Sequence, residues 1–263
     1  MNIIKIGGGR KINVEGIIKD LSSFNEKFII VHGANAYRDE LAEQLNAEKK
    51  VITSVKGYSS VFTNEKALDI LIMAYAGLRN KRIVEMCQQN GINAIGLSGI
   101  DGRVIQGARN SGIRIREDGK LKIVRDFSGK PKSINVDLLN LLLESGYVPV
   151  LTVPIMDEDG FAINSENDDI IAVINDSMKA EKIFQFIEAP GFLEDSNDEN
   201  SLISYISSAE LKRKEEAVEG RMKRKLYALN KLLENNGTKI IIADGRVESP
   251  FNDALKGKGT IIQ

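Results

Sequence analysis

Short apolar runs and amphipathic stretches alternate from the start of the chain. Apolar runs at 1–6 and 27–32 flank residues 13–21, where apolar residues recur at helical spacing. A helix between two apolar strands is typical of a βαβ unit, so we expect a parallel sheet. Both strands lead into small-residue turns, Gly7-Gly8-Gly9 and Gly33-Ala34. Because the carboxyl ends of parallel strands share the sheet edge where open α/β sheets bind ligands, these turns mark the predicted site.

The rest of the pattern predicts further α/β alternation with β-hairpins inserted into it. Residues 51–62 alternate enough for a hairpin, and Asp-Gly turns predict antiparallel strands within 101–125. The remaining predicted helices cover 37–45, 63–89, 136–144, 167–179, a segment near Ala209, and 221–235. The remaining predicted strands cover 93–97, 147–151, 182–187, 239–243 and 260–263.

The chain length of 263 residues fits one large domain or two small ones. The sequence contains no internal repeat, and it contains no linker that would separate two freestanding domains. Pro154 and the turn Asp157-Glu158-Asp159-Gly160 mark the best boundary between lobes. We therefore expect a single domain with an N-terminal lobe at 1–155 and a C-terminal lobe at 156–263.

Charge and composition exclude several functional classes. Lysine and arginine (36) nearly balance aspartate and glutamate (37), which gives no bulk electrostatic case for nucleic acid or a membrane surface. The single cysteine, Cys87, excludes an intramolecular disulfide, and the single histidine, His32, argues against histidine-rich metal sites and a Ser-His-Asp triad. With no run of about 18 apolar residues and no apolar leader, we expect a cytoplasmic protein.

The first strand carries the most informative chemistry, because Lys5 stands just before three consecutive glycines. Glycine allows positive φ and lets an anion approach backbone N–H groups, and lysine supplies a point charge. A strand followed by a flexible turn explains the same residues. The sequence contains no Walker A motif, since Gly257-Lys258-Gly259-Thr260 does not fit that template, and no Gly-x-Gly-x-x-Gly follows the first strand.

Two later motifs are ambiguous when taken singly. Asn164-Ser165-Glu166-Asn167-Asp168-Asp169 opens a predicted helix, where Asn164 or Asp168 would serve as a cap. Gly220-Arg221-Met222-Lys223-Arg224-Lys225 would normally be a solvated basic face. The acidic loop at 194–200 lacks the glycine and spacing of an EF-hand and favours a solvated turn.

The ordered set of motifs resembles the amino-acid kinase family over the whole chain, most closely its acetylglutamate kinase branch. The resemblance implies an α/β fold: a three-layer αβα sandwich with a mainly parallel central sheet and β-hairpins over the substrate site. It also implies an amino-acid substrate on the N-terminal lobe and ATP on the C-terminal lobe. The residues that carry it are Lys5 with Gly7-Gly8, His32-Gly33, Asn80-Lys81, Gly96-Leu97, the segment 146–150, Asn164 with Asp168, Gly191, and Gly220 with Met222 and Lys225.

The resemblance also implies residue roles. Lys5 and Lys225 would flank the transferring phosphoryl group, and Asp168 would orient both lysines. Mg²⁺ would be held mainly by ATP, with no metal ligand from protein side chains. The implied substrate-binding residues are Gly33, Ala34, Asn35, Ser60, Val61 and Asn164, and the implied nucleotide- or phosphate-binding residues are Gly7, Gly8, Gly191 and Met222.

The chain departs from acetylglutamate kinases before its long helix. Those enzymes carry an arginine that grips the substrate α-carboxylate, whereas Val61 stands at that position here, in a stretch two residues longer. The third residue of the family's His-Gly-Gly-Gly turn is also changed, to Ala34, and Asn35 follows it. The altered hairpin, together with the segments 92–103 and 220–225, resembles kinases that act on amino acids tethered to LysW, a small acidic carrier protein. The basic residues between Arg103 and Arg125 would then form a landing surface for the carrier, although a solvated hairpin face explains them equally well.

The resemblance leads to one main functional hypothesis and two alternatives. The main hypothesis is ATP-dependent phosphorylation of the side-chain carboxylate of LysW-bound 2-aminoadipate, and also of LysW-bound glutamate, in lysine or arginine synthesis. The alternatives are a kinase for free N-acetylglutamate and a non-catalytic amino-acid- or nucleotide-binding module.

The long predicted helix at 63–89 bears on assembly. Its apolar stripe consists of Leu68, Leu71, Ile72, Tyr75 and Leu78, and the small residues at 74, 76 and 77 allow close approach by another element. That element is either the core or a second subunit. Because family members pair through this helix, the resemblance implies a homodimer.

Overall fold

A computed structural model describes residues 1–47, 49–55, 59–117, 119–195, 197–217, 220–233 and 237–263, without the side chains of residues 59, 60, 117 and 220–225. The strands are β1 (Asn2–Ile6), β2 (Phe28–His32), β3 (Val51–Thr53), β4 (Ser59–Val61), β5 (Ala94–Ser98), β6 (Ile105–Arg109), β7 (Ile113–Glu117), β8 (Lys120–Val124), β9 (Gly129–Ile134), β10 (Val148–Thr152), β11 (Ile155–Met156), β12 (Ala162–Ile163), β13 (Lys182–Ile187), β14 (Tyr205–Ile206), β15 (Lys239–Asp244) and β16 (Thr260–Ile262). The α-helices are α1 (Val14–Leu21), α2 (Asn35–Gln44), α3 (Glu65–Ile72), α4 (Asn80–Gln89), α5 (Val136–Glu144), α6 (Asn167–Met178), α7 (Ser208–Ala217), α8 (Gly220–Leu233) and α9 (Pro250–Leu255).

The central sheet has eight strands in the order β14-β16-β15-β13-β1-β2-β10-β5. Neighbouring strands from β15 to β5 are parallel, and β16 runs antiparallel to β15. The predicted mainly parallel sheet is therefore confirmed. β1 lies between β13 and β2, with Lys5 in register with Gln185 and Val31, so the lysine occupies the middle of the sheet.

Two apolar cores, one on each face of the sheet, confirm the three-layer architecture. Alternate residues of β1 enter different cores: Ile3 packs with α3, α5, α6 and α8, whereas Ile4 and Ile6 pack with α1, α4 and α9. This alternation follows from the two-residue period of a strand. Lys5 consequently shares the face of Ile3 and lies on the side of α6.

The predicted hairpins are present beside the central sheet. β3 pairs with β4, and β7 pairs with β8 across a turn that contains Gly119 at φ +74°. A separate four-stranded sheet has the order β12-β11-β6-β9. β6 and β9 of this sheet come before the predicted lobe boundary at 155/156, and β12 comes after it. The sheet therefore spans the boundary, and the division into two lobes stays a prediction.

The long helix at 63–89 is α3 and α4 joined by a π-helical segment, Met73–Arg79. The predicted apolar stripe holds as far as Tyr75, which is buried, but fails at Leu78, which is 48% exposed. A π-helical turn contains one more residue than an α-helical turn, so it shifts the residues that follow around the helix axis. The next residue, Arg79, is buried instead. Among the described residues, no helix combines the length and apolarity needed to cross a membrane.

Candidate active site

Lys5 and Asp168 form the centre of the candidate site. The ammonium group of Lys5 pairs with Oδ1 of Asp168, which lies in the first turn of α6. The lysine side chain is 14% exposed and the aspartate side chain 36% exposed, so the pair sits at the floor of an open site. The N-terminus of α6 stabilises the carboxylate, and the carboxylate holds the lysine in place.

The two glycine turns lie against each other beside this pair. A Cβ on Gly33 would lie 3.0 Å from the amide nitrogen of Gly8, and a Cβ on Gly8 would lie 2.7 and 2.8 Å from the amide nitrogens of Asn35 and Ala34. Each glycine therefore allows the two turns to lie in close backbone contact. The amides of Gly8 and Gly9 donate to no group in the described part of the chain, which leaves two donors open to an anion.

The structure corrects the expected reason for these glycines. Positive φ occurs at Gly91, Gly102 and several other glycines, but not at Gly7, Gly8, Gly9 or Gly33. Close approach of backbone to backbone, and not left-handed geometry, therefore requires glycine here. Gly7 fits the same explanation, since its Cβ would lie 2.9 Å from the carbonyl oxygen of Phe186 on β13.

The start of α6 adds residues that the sequence reasoning missed. The amide of Asn167 donates to the carbonyl of His32 at 3.0 Å, which ties α6 to the end of β2. Asn167 Oδ1 and Ser165 Oγ are buried and have no hydrogen-bond partner among the described residues. Buried polar atoms of this kind are typical of a ligand site. Their position in the helix-opening segment 164–169 was the available signal.

His32 is a structural residue of this edge. Burial, and next to it the positive charge of Arg79, lower the pKa of His32 to about 3. The neutral ring accepts from Asn80 Nδ2 at 3.1 Å and turns its other nitrogen, Nδ1, toward the carbonyl of Gly33 at 3.4 Å. His32 thus holds α4 and the second glycine turn together and is protected from protonation at neutral pH.

Asn164 and Val61 lie on the side predicted for the acceptor. The amide of Asn164 donates to the hydroxyl of Thr63 at 3.2 Å, and that hydroxyl donates to the carbonyl of Val61 at 3.3 Å. Val61 also lines a 140 Å³ cavity between α2, α3 and β4, together with Arg38, Asp39, Ala42, Ala47, Lys49, Phe62, Asn64, Lys66, Ala67 and Ile70. The side chain of Ser60 lies outside the described residues, although its backbone pairs with Ile52.

The remaining predicted residues lie in the C-terminal part. Gly191 follows β13, and a Cβ there would lie 2.6 Å from Leu202 and 2.7 Å from Thr260 Oγ1, so close packing explains this glycine. Met222 and Lys225 belong to α8, but their side chains lie outside the described residues. The structure thus brings together Lys5, Gly7, Gly8, Gly33, Ala34, Asn35 and Asp168, and it links Asn164 to Val61.

This arrangement fits a phosphoryl group. A lysine, open amides and the N-termini of α2 and α6 converge at one sheet edge, and each favours negative charge. The described residues contain no cluster of His, Cys, Asp or Glu that would hold a metal ion. The donors available here are suited to phosphate oxygens.

Comparisons with known proteins agree with this geometry. Residues 1–244 match the model of the amino acid kinase family. A [LysW]-aminoadipate kinase of Thermus thermophilus is 38% identical over 269 residues, covering 100% of both chains. A [LysW]-aminoadipate kinase of Deinococcus radiodurans is 36% identical and covers 100% of this chain and 91% of its own. An acetylglutamate kinase of Methanopyrus kandleri is 30% identical, again over 100% of both chains.

Solved structures share the fold at low sequence identity. Carbamate kinase of Giardia superposes with a TM-score of 0.68 at 13% identity, covering 99% of this chain and 97% of its own. An isopentenyl phosphate kinase superposes with a TM-score of 0.63 at 19% identity, covering 100% of both chains. These likenesses support the architecture.

Proposed function

Because this chain belongs to the amino acid kinase family, we propose that it transfers the γ-phosphoryl group of ATP to the side-chain carboxylate of 2-aminoadipate bound to the carrier protein LysW. The observation that carries the proposal is the 38% identity, over both full chains, with a [LysW]-aminoadipate kinase. LysW-bound glutamate is the second acceptor that we propose. The product is an acyl phosphate on the route to lysine, or to arginine when the acceptor is glutamate.

The reaction needs charge neutralisation more than acid–base catalysis. A side-chain carboxylate with a pKa of about 4.3 is ionised at neutral pH and attacks without a general base. A carboxylate oxygen forms a bond to the γ-phosphorus, the bond from that phosphorus to the β–γ bridging oxygen breaks, and ADP leaves with the electron pair. Mg²⁺ bound with ATP supplies part of the neutralisation. The protein supplies in-line positioning and donors for the phosphoryl oxygens.

We propose the residue roles that the family resemblance implies, and the placement of the described groups supports those of Lys5, Asp168, Gly8 and Gly33. Lys5 neutralises charge on the transferring phosphoryl group from the floor of the sheet, and Asp168 keeps the lysine ammonium in position. Gly8 and Gly33 let the two turns lie together, with the amides of Gly8 and Gly9 accessible to phosphate oxygens. We assign Lys225 to the opposite side of the phosphoryl group and Met222 and Gly191 to the nucleotide. The lobe 1–155 binds the acceptor and the lobe 156–263 binds ATP.

The acceptor side supports a tethered substrate. Arginine binds a carboxylate through two parallel hydrogen bonds, and Val61 offers neither. A substrate whose α-amino group is amide-linked to a carrier gains affinity from the carrier instead. This is the physical reason for preferring LysW-bound aminoadipate to free N-acetylglutamate.

A direct comparison of acceptors tests the function. We expect ADP release with carrier-linked aminoadipate to exceed release with free N-acetylglutamate by at least about tenfold in kcat/KM, since only the linked acceptor gains carrier contacts and a tenfold ratio corresponds to about 1.4 kcal/mol. Carrier-linked glutamate is the third arm. Efficient use of free N-acetylglutamate would establish the first alternative, and no turnover with any acceptor despite ATP binding would establish the non-catalytic module.

The β7–β8 hairpin is the surface that we assign to the carrier. Register pairs Arg114 with Ile123 and Arg116 with Leu121, so these four side chains share one face of the hairpin. Both arginines are exposed, and Leu121 and Ile123 are 60% and 63% exposed. A face that combines cations with exposed apolar side chains suits an acidic protein partner. The hairpin also reaches the acceptor side, because Ile115 forms a bridge with Ser54 next to β3.

Arg109 differs from its neighbours in the predicted basic surface. Its guanidinium lies 4.1 Å from the ring centroid of Phe127 and donates to the carbonyl of Asp126 at 2.9 Å. The residue is only half-exposed. Arg109 therefore has a packing role, and the carrier surface depends on Arg114 and Arg116.

Charge reversal at Arg114 tests this surface. We expect Arg114→Glu to raise the KM for the carrier-linked substrate by about tenfold while the KM for ATP stays unchanged, because the lost attraction acts only on the acidic carrier. Raising salt from about 0.05 to 0.5 M should have the same selective effect, since the Debye length shortens. Lys19→Glu, an exposed reversal on α1, is the matched control. If both reversals raised the KM for the carrier-linked substrate equally, the carrier would not bind to this face of the hairpin.

We also propose a homodimer that pairs through the helix at 65–89. Met73 and Leu78 are 44% and 48% exposed on this helix, and Gly77 lies between them without a side chain. An exposed apolar face with a small residue at its centre allows two helices to approach closely.

A further inference from the structure

Arg79 is a buried cation without an acidic partner among the described residues. The residue is 5% exposed, and its Nε and Nη2 atoms have no hydrogen-bond partner. Its single hydrogen bond in the described part of the chain runs from Nη1 to the hydroxyl of Tyr37 at 2.9 Å. Burial lowers the pKa of Arg79, which reflects the cost of keeping its charge away from water. Buried charges are ordinarily paired, so this arginine needs an explanation.

The π-helical segment is what turns Arg79 inward. Arg79 is the last residue of that segment, directly after the exposed Leu78. A continuous α-helix would keep the apolar stripe facing the core, whereas the π-helical turn places an arginine there. Such segments are uncommon and are frequent at functional sites.

A second arginine meets the same tyrosine from the first glycine turn. Cζ of Arg79 lies 4.8 Å from the ring centroid of Tyr37, and Cζ of Arg10 lies 4.6 Å from the same centroid. Arg10 directly follows Gly9 and pairs with Glu40 on α2. The two arginines and Glu40 therefore leave this cluster with one net positive charge.

The cluster is connected to both glycine turns. Tyr37 lies in the first turn of α2, two residues after Asn35, which contacts Gly8. The amide of Ala36 donates to the carbonyl of Gly8 at 3.1 Å. On the other side, the charge of Arg79 reaches His32, whose carbonyl holds Asn167. Arg79 thus lies next to Tyr37 and His32, which are themselves connected to the two glycine turns.

We propose that Arg79 and Arg10, joined through Tyr37, form a positioning element for oxyanions at the glycine turns, and that the oxyanion is a phosphate group of the nucleotide. Nε and Nη2 of Arg79 have no exposed surface, so this arginine acts through its charge and through Tyr37, while the half-exposed Arg10 faces the ligand. The proposal deepens the proposed kinase function and rests on it. This role explains why a buried charge is kept at Arg79. The charge lowers the stability of the free protein and stabilises the protein with an oxyanion bound.

This role makes an unusual combination of predictions for Arg79→Met. The variant keeps the side-chain length and removes the unpaired charge, so the free protein should melt about 2–4 °C higher than wild type. The same variant should bind pyrophosphate and ATP about tenfold more weakly, and its KM for ATP should rise about tenfold with kcat within about twofold. A packing role would instead lower the melting temperature and leave both affinities unchanged.

The measurements are thermal melting with and without pyrophosphate or ATP, calorimetric titration of both ligands, and steady-state kinetics. Arg82→Met is the matched control, because Arg82 is exposed one turn further along α4 and pairs only with Glu85 in the described structure. Arg79→Lys should restore most of the ATP affinity by restoring the charge. Should Arg79→Met not fold, Arg10→Met tests the same pair at an exposed position and should also weaken pyrophosphate binding.

The outcomes separate this proposal from its alternatives. A lower melting temperature with unchanged ligand affinity would make Arg79 a purely structural residue. A raised KM for the acceptor with unchanged ATP and pyrophosphate binding would assign the oxyanion to the acceptor carboxylate and overturn the phosphate assignment. Because the nucleotide titrations need no acceptor, failure of the proposed carrier-linked function would leave the Arg79 result independently readable.

Discussion

Replacing Lys5 with alanine is expected to lower kcat by about 10²–10³-fold, because one donor to developing charge typically contributes roughly 2.7–4 kcal/mol to transition-state stabilisation. The fold should survive the change. Asp168 is 36% exposed in the pair and can be hydrated when the ammonium group is removed. Steady-state kinetics with saturating ATP and carrier-linked aminoadipate would give kcat, and circular dichroism would verify the fold.

Two variants sharpen this test. Lys182→Ala removes a lysine from the adjacent strand β13 at the opposite end of the sheet, in register with Asn2, and should keep full activity. Asp168→Asn keeps the size of the side chain but loses the charge that holds Lys5, so its kcat should fall less than that of Lys5→Ala. Wild-type turnover in a folded Lys5→Ala protein would show that Lys5 does not stabilise the transition state. We expect Lys225→Ala to lower kcat as much as Lys5→Ala does.

Gly8→Ala should disable phosphate binding through one added methyl group. The new Cβ would lie 2.7 and 2.8 Å from two backbone nitrogens at the start of α2, which can move only if the helix moves. Separation of the two turns should lower kcat/KM for ATP by about 100-fold, as misplacement by about 1 Å commonly does. The overpacking should also reduce the free energy of unfolding by about 1–3 kcal/mol.

Gly77→Ala provides the control for Gly8→Ala. Gly77 lies in a helical segment, where an added Cβ would lie 3.8 Å from the carbonyl oxygen of Ile72, an ordinary van der Waals distance. Its replacement should leave kcat/KM unchanged and should not lower stability, since alanine is the better helix former and is itself small enough for the proposed helix pairing. Nucleotide titration and urea unfolding of both variants measure the two effects. If Gly8→Ala bound ATP as tightly as wild type, the two turns would not be the phosphate cradle.

Local signals were sufficient for much of the fold. The strands β1 and β2, the helix between them and the β7–β8 hairpin were all predicted, and the structure confirms them. Strand, helix and turn preferences depend on neighbouring residues in the chain, so they can be read without a structure. The helix ends also followed local signals, as Asn64 caps α3 by accepting from the amide of Ala67.

Where the local pattern was misleading, packing between distant segments was the cause. The stripe along 63–89 predicted Leu78 inside, but the π-helical segment exposes Leu78 and buries Arg79. The three glycines after β1 predicted positive φ, but Gly8 is required because α2 approaches it. A sequence pattern carries no information on which other segment will come close. The pattern therefore identified the glycines, but it did not show that close packing of the two turns requires them.

The sequence by itself determined that β1 delivers a lysine to a glycine turn, because strand period and glycine content are local properties of consecutive residues. The family resemblance implied Asp168 as the partner of Lys5, but only the tertiary structure shows how the two residues come into contact. Asp168 is 163 positions away from Lys5, and the contact depends on the order of the parallel strands and on the side of the sheet that α6 covers. The same holds for Arg79, whose burial without an acidic partner among the described residues follows from the packing of α2 and the glycine turn around it. Strand order and layer packing are settled by burial of the whole apolar surface at once, and no short stretch of residues specifies them.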